Sequence, residues 1–145
     1  MAKPAIYFND GNEPRNDFIN FEKIIRDRGS VYSVSLGKVA SREEIKQFLK
    51  KTKSLKHHDR ATHHSWAVRI AHDGVLYESK GDDGETGAGN VILRILQKKH
   101  MVNTAVCVTR WYGGVKLEAD RFKHVQDATL FVIEEDQRRK KKCRV

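Results

Sequence analysis

Residues 104–109, Thr-Ala-Val-Cys-Val-Thr, constrain the fold of this chain more than any other stretch. The run is short, rich in β-branched side chains, apolar on both sides and uncharged. It therefore reads as a central strand and not as an edge. Two further strands are legible from alternation. In residues 31–36, Tyr32, Val34 and Leu36 face one way and Ser33 and Ser35 the other; in 66–71, Trp66, Val68 and Ile70 alternate with Ala67, Arg69 and Ala71. His72-Asp73-Gly74 carries the Asp-Gly signal of a hairpin, so residues 75–78 return as another strand.

Helices fall between these strands. Ser41 with Glu44 three residues on is a capping-box signature, followed by Ile45, Phe48 and Leu49 on one stripe with lysines opposite. Residues 89–101 place Val91, Ile92, Ile95 and Leu96 on one face. Residues 118–136 do the same with Phe122, Val125, Ala128, Thr129, Val132 and Ile133. The first twenty or so residues are polar, and 10–14 (Asp-Gly-Asn-Glu-Pro) mark turns, which predicts an irregular lead-in. The order β-α-β-β-α-β-α, without repeats, predicts an α+β two-layer sandwich: a mixed sheet with helices on one face. The expected division is a lead-in over 1–24, one domain over 25–137 and a basic tail over 138–145.

Charge is unevenly placed along the 145 residues. The formal excess is +9, from 28 Lys and Arg against 19 Asp and Glu. Arg138, Arg139, Lys140, Lys141, Lys142 and Arg144 put +6 into the last eight residues. Lys46, Lys50, Lys51, Lys53, Lys56 and Arg60 against Asp59 put a net +5 into residues 46–60, so the remaining body is slightly acidic. Two such patches attract RNA or acidic protein surfaces without specifying either. No apolar run approaches the roughly 20 residues of a membrane span. The start lacks a secretory signal pattern, and two distant cysteines, Cys107 and Cys143, do not make a disulfide scaffold. A cytoplasmic location without membrane contact is expected.

Three constellations could carry chemistry. The first is the loop Gly81-Asp82-Asp83-Gly84-Glu85-Thr86-Gly87-Ala88-Gly89 between a strand and a helix. It fits neither the P-loop nor the dinucleotide-binding spacing, and its three carboxylates would repel a phosphate. Asp82 is expected to cap the helix, with Glu85 completing a capping-box-like pair; a ligand or metal site is the alternative. The second is Arg110-Trp111-Tyr112-Gly113-Gly114, either a stacking platform for bases or a core closure with Arg110 paired to Asp82, Asp83 or Glu85. The third is His57, His58, His63 and His64, whose spacing matches no usual zinc pattern; His63 is the one expected to have a defined role. Cys107 reads as a small buried side chain. Cys143, among basic residues, would be the more reactive thiol but has no shaped site. No metal, cofactor or catalytic set is expected. A cleft between the acidic loop, His63 and Arg110 is the one place where hydrolytic chemistry could sit.

Asp82-Asp83-Gly84-Glu85-Thr86-x-Ala88-Gly89, followed about twenty residues later by Arg110-Trp111-Tyr112-Gly113-Gly114, resembles the IMPACT domain family, which includes bacterial YigZ-type proteins. Thr62-His63-x-x-Trp66-Ala67 and Asp27-Arg28-x-Ser30-x-Tyr32 fit the same pattern. Asp120-Arg121-Phe122-Lys123-His124 resembles the eukaryotic members most, in their C-terminal domain. Glu118-Ala119 and Gly29 depart from the family's usual residues. The resemblance implies a ribosomal protein S-five domain-two-like fold and no established enzymatic reaction. It implies a stress-response regulator of translation that binds the ribosome-associated activator of the amino-acid-starvation kinase, the ribosome, or both, and so restrains that kinase. RNA is the alternative partner. In eukaryotic relatives an RWD domain precedes this one; the present chain is either a piece of a longer protein or a stand-alone member. The residues expected at the recognition site are His63, Asp82, Asp83, Glu85, Arg110, Trp111, Tyr112, Gly113, Gly114, Arg121 and Lys123, with the two basic runs beside them.

Overall fold

A computed structural model describes residues 17–143; the turn expected at 10–14, Arg144 and the side chain of Cys143 lie outside the described residues. Five strands form one sheet: β1 (Phe18–Asp27), β2 (Ser30–Lys38), β3 (His63–His72), β4 (Val75–Gly81) and β5 (Thr104–Trp111). Their order is β1-β2-β5-β3-β4. Every neighbouring pair is antiparallel, so the sheet is not mixed. The run that dominates the sequence lies at the centre. Residues 104–111 pair with β2 from Thr104↔Lys38 to Trp111↔Val31, and with β3 from Thr104↔Arg69 to Arg110↔His63.

Three helices cover this sheet: α1 (Arg42–Lys53), α2 (Ala88–Lys98) and α3 (Asp120–Cys143). They do not all lie on one face. Val106 and Val108 pack with Tyr32, Val34, Leu36 and Ala67 under Ile92 and Leu96 of α2 and Val125, Val132 and Ile133 of α3. Ala105 and Cys107 point the other way, where Val68 and Ile70 meet Ile45 and Phe48 of α1. The reason is the alternation of a strand: a central run apolar on both faces needs cover on both. Each large side chain fully buried this way contributes roughly 1.5–3 kcal/mol.

The expected lead-in over 1–24 is corrected from Phe18 onward, because β1 is a ten-residue strand. Its pairing shifts register between Phe21 and Ile25, and Lys23 within that bulge has φ +53°. The bulge puts Lys23 where the alternation of Ile19, Phe21 and Ile25 calls for an apolar side chain, and Ile24, out of phase with them, packs on the same core. The basic tail is corrected too: residues 138–143 continue α3 as helix. The cations at that end suit the negative pole of the helix dipole.

Local signals read from the sequence act as expected elsewhere. The Ser41 hydroxyl accepts from the Glu44 amide at 3.2 Å, and the Glu44 carboxylate reaches back to the Ala40 amide at 2.7 Å. Asp73 (φ +50°) and Gly74 (φ +76°) make the tight β3–β4 turn. No described helix is long and apolar enough to cross a membrane.

Candidate functional site

The antiparallel register brings the start of β2, the start of β3 and the end of β5 to one end of the sheet, where the loop 82–87 and the first turn of α3 meet them. Between them lies an open cleft of about 520 Å³, lined by Thr62, His63, Gly84, Glu85, Arg110, Tyr112, Lys116, Leu117, Glu118 and Arg121.

Its floor is Glu85, 3% exposed. Both carboxylate oxygens accept from Nη1 of Arg110, at 3.2 and 2.8 Å, and Oε2 accepts from Nη1 of Arg121 at 3.2 Å. Glu85 therefore does not complete a capping pair as expected; the cap is Asp82 alone. The Asp82 carboxylate accepts from the amides of Gly87 at 3.0 Å and Gly89 at 2.8 Å. These backbone donors, Gly87 first, hold its carboxyl below the usual range for aspartate. Asp83 takes the His64 amide at 2.7 Å. All three carboxylates of the loop are thus engaged, Asp82 and Asp83 by backbone amides and Glu85 by two arginines.

His63 stands on the cleft wall in a fixed orientation. Its Nδ1 donates to the Asp83 carbonyl at 2.8 Å, since a carbonyl can only accept, and this turns Nε2 towards Glu85. Nε2 lies 3.8 Å from Oε1 of Glu85. Asp83 (φ +51°) and Gly84 (φ +88°) form the turn that presents this carbonyl, and a Cβ on Gly84 would meet the His63 ring at 3.1 Å.

Arg110 is buried, with Nη2 donating to the Ser30 hydroxyl at 3.2 Å and its guanidinium 5.6 Å from the rings of both Tyr32 and Tyr112. Of the two readings open for Arg110, Trp111 and Tyr112, the stacking platform is not assembled, and Arg110 pairs with Glu85. Successive strand residues face opposite sides, so Trp111 turns from the cleft, stacks edge-on against His58 at 5.0 Å and donates Nε1–H to the His57 carbonyl. Tyr112 remains, 46% exposed, on the cleft wall. Gly113 serves packing: its amide donates to Ser30 Oγ at 3.1 Å, and a Cβ there would lie 2.1 Å from the backbone of Gly29. Gly114 (φ +90°) turns the chain away.

Lys123 is not part of the cleft; it pairs with Asp127 at 3.1 Å one turn along α3. Its neighbours make an unforeseen cluster. Arg28 bridges Asp27 and Asp120, and His124 Nε2 lies 2.7 Å from Asp27. Hydrogen bonds from Arg28 and then His124 hold the Asp27 carboxyl far below the usual range. Residues 27–32 and 120–124 are thus joined in space. Ser30, Lys116 and Leu117 were not among the expected site residues: Ser30 entered only through the 27–32 pattern, and a loop lysine and a lone leucine do not name their contacts.

The remaining histidines are structural. His58 is fully buried against Glu22 at 2.9 Å, and His64 donates Nε2–H to the His58 carbonyl while Nδ1 accepts from Thr109. Burial pushes His64 below its ordinary value, towards the neutral ring. Among the described residues no three His, Cys, Asp or Glu are placed to hold a metal ion. Cys107 is buried and its thiol is pushed up to about 12, which makes it inert. Lys46, Lys50, Lys51, Lys53 and Lys56 are exposed, as are Arg138, Arg139, Lys140, Lys141 and Lys142. These two runs lie on either side of β1: Lys51 sits over the Phe18 ring at 4.5 Å and Arg139 over Phe21 at 5.6 Å.

Fold and cleft define a five-stranded α+β domain with a charged cleft at the strand ends. The family model described as the Impact N-terminal domain matches residues 28–133. Protein IMPACT of Oryctolagus cuniculus is 35% identical over 113 residues, 77% of this chain and 36% of that protein. The IMPACT homolog of Schizosaccharomyces pombe is 34% identical over 129 residues, 88% of this chain and 46% of that protein. This chain belongs to the IMPACT family; the matching model carries the N-terminal designation and not the C-terminal one expected. It spans between about a third and a half of these relatives' length. A solved structure of the two-domain translational regulator Yih1 is 29% identical with a TM-score of 0.57, covering 93% of this chain and 53% of that one. A hypothetical protein of known structure, 21% identical with a TM-score of 0.69 over 81% of this chain and 61% of its own, shares the fold.

Proposed function

We propose that this domain regulates translation by binding, through contact with the ribosome-associated activator of the amino-acid-starvation kinase, with the ribosome, or with both, in the cytoplasm. Family membership carries the reading, supported by the 29% identity to a translational regulator. The basic runs beside β1 supply long-range attraction to an acidic assembly, and the cleft end supplies a shaped surface. Action by binding, without a chemical step, fits a site whose ionisable groups are mostly engaged with one another.

The test is ribosome co-sedimentation and activator pull-down with Lys46→Glu/Lys50→Glu/Lys53→Glu. Binding should fall steeply with salt and be lost in the variant, while thermal stability stays within about 0.5 kcal/mol. Absence of binding to either target at low salt refutes the proposal. Binding that disappears on RNase treatment of every partner assigns the contact to RNA instead.

A further inference from the structure

The cleft holds unsatisfied binding capacity that the proposed regulatory role does not use. Its volume of about 520 Å³ lies in the range of small-molecule sites. Arg121 donates one N–H to Glu85, and its remaining guanidinium donors have no partner among the described residues. The fork is held in place from two sides. Glu85 fixes Nη1, and the guanidinium lies 4.5 Å from the centre of the Phe122 ring. That ring is itself seated on Gly87, where a Cβ would meet it at 3.0 Å. An arginine ordered before the ligand arrives loses little freedom on binding, and its planar donors match an oxyanion. Lys116 adds a second cation without an ion-pair partner among the described residues, and Glu118, also on the lining, restrains the total charge. The floor carries one excess positive charge, because Arg110 and Arg121 share the single carboxylate of Glu85.

A second observation narrows the ligand. His63 Nε2 and Glu85 Oε1 face each other across 3.8 Å, beyond hydrogen-bond distance. The other nitrogen of His63 is committed to the Asp83 carbonyl, which holds the ring with Nε2 towards Glu85. A ligand hydroxyl fits between them, its one hydrogen donated to the carboxylate and its oxygen beside the ring.

We infer that this cleft binds a small oxyanion, phosphate or carboxylate, borne next to a hydroxyl group: Arg121 and Lys116 take the anion, and the His63–Glu85 pair takes the hydroxyl. The inference rests on the cleft alone and is independent of the macromolecular partner.

The experiment is an amide-resolved NMR titration of the whole chain with inorganic phosphate, acetate and glycerol 3-phosphate. Saturable shifts are expected at Gly84, Glu85, Tyr112 and Arg121, with glycerol 3-phosphate binding more tightly than inorganic phosphate. The stronger of phosphate and acetate names the oxyanion. Arg121→Gln, which keeps a donor for Glu85, should weaken the anion about tenfold or more. His63→Ala should erase the advantage of glycerol 3-phosphate while leaving inorganic phosphate unchanged. Lys99→Glu, at the far end of α2 from the acidic loop, should change nothing. Shifts confined to the lysines of α1 and the end of α3, a failure to saturate, or an Arg121→Gln protein with wild-type spectrum and affinity would overturn the inference.

Discussion

The two ends of α3 treat charge in opposite ways. At its first turn, Asp120 pairs with Arg28, Arg121 with Glu85, and His124 with Asp27, closing the helix onto the turn after β1 and onto the cleft floor. At its last turns, Arg138, Arg139, Lys140, Lys141 and Lys142 are exposed; among the described residues their ion pairs go only to Glu135 and Asp136 of the same helix, and Arg139 rests over the Phe21 ring. Removing a charge from water costs several kcal/mol unless a partner is positioned to offset it, whereas an exposed charge costs almost nothing to keep. The cleft end is therefore bound tightly to the fold, and the basic end is available to a partner.

Substitution at the two ends should separate these roles. The largest effect is expected for Arg110→Ala, which leaves the buried Glu85 with Arg121 alone. Chemical denaturation should show a loss of about 3–5 kcal/mol, against about 0.5 kcal/mol or less for Arg139→Ala. Equal losses at the two sites would erase the distinction. Next is Gly113→Ala, whose methyl would lie 2.1 Å from the backbone of Gly29 and force apart the two turns that frame the cleft. A cost of about 1–3 kcal/mol is expected, and a variant as stable as the parent would show that this contact is loose.

The smallest effect is expected for Asp82→Asn, about 1 kcal/mol at neutral pH. It sharpens the comparison through its pH dependence. The folded state lowers the carboxyl from its ordinary 3.8, so the charged form is the one the fold favours. The stabilisation is present above that ordinary value and is lost as pH falls through the lower, folded one. Denaturation midpoints measured across this acid range should converge for Asp82→Asn and the parent. A constant gap between them would mean that the carboxylate does not act through its charge.

Much of the fold was legible because its signals are local. The Ser41–Glu44 cap, the Asp73-Gly74 turn, the alternation of β2 and β3 and the stripes of α2 and α3 each arise within one element, where spacing alone decides which side chains share a face. β1 was not legible, because its bulge places Lys23 in the apolar phase of Ile19, Phe21 and Ile25 and brings Ile24, out of that phase, to the same core. The position of α1 was misjudged although the run 104–109 carried the information: Ala105 and Cys107 needed cover as much as Val106 and Val108 did.

The same division holds for the cleft. His63, Glu85, Arg110, Tyr112 and Arg121 could be chosen from the sequence, since each lies in a recognisable motif. Their partners could not. Whether Glu85 caps a helix or meets Arg110, and whether Trp111 stacks beside Arg110 or behind it, depends on strand register and on which face each residue presents. The sequence by itself determined the central strand, the helix faces, the family and the two basic runs, all of them properties of neighbours along the chain. Only the tertiary structure decided that 27–32 and 120–124 touch, that the basic runs flank one strand, and that Asp82 and Asp83 are held by backbone amides while Glu85 meets two arginines beside an open cleft. Those contacts join residues dozens of positions apart, and a buried charge reveals its partner only when the chain has closed around it.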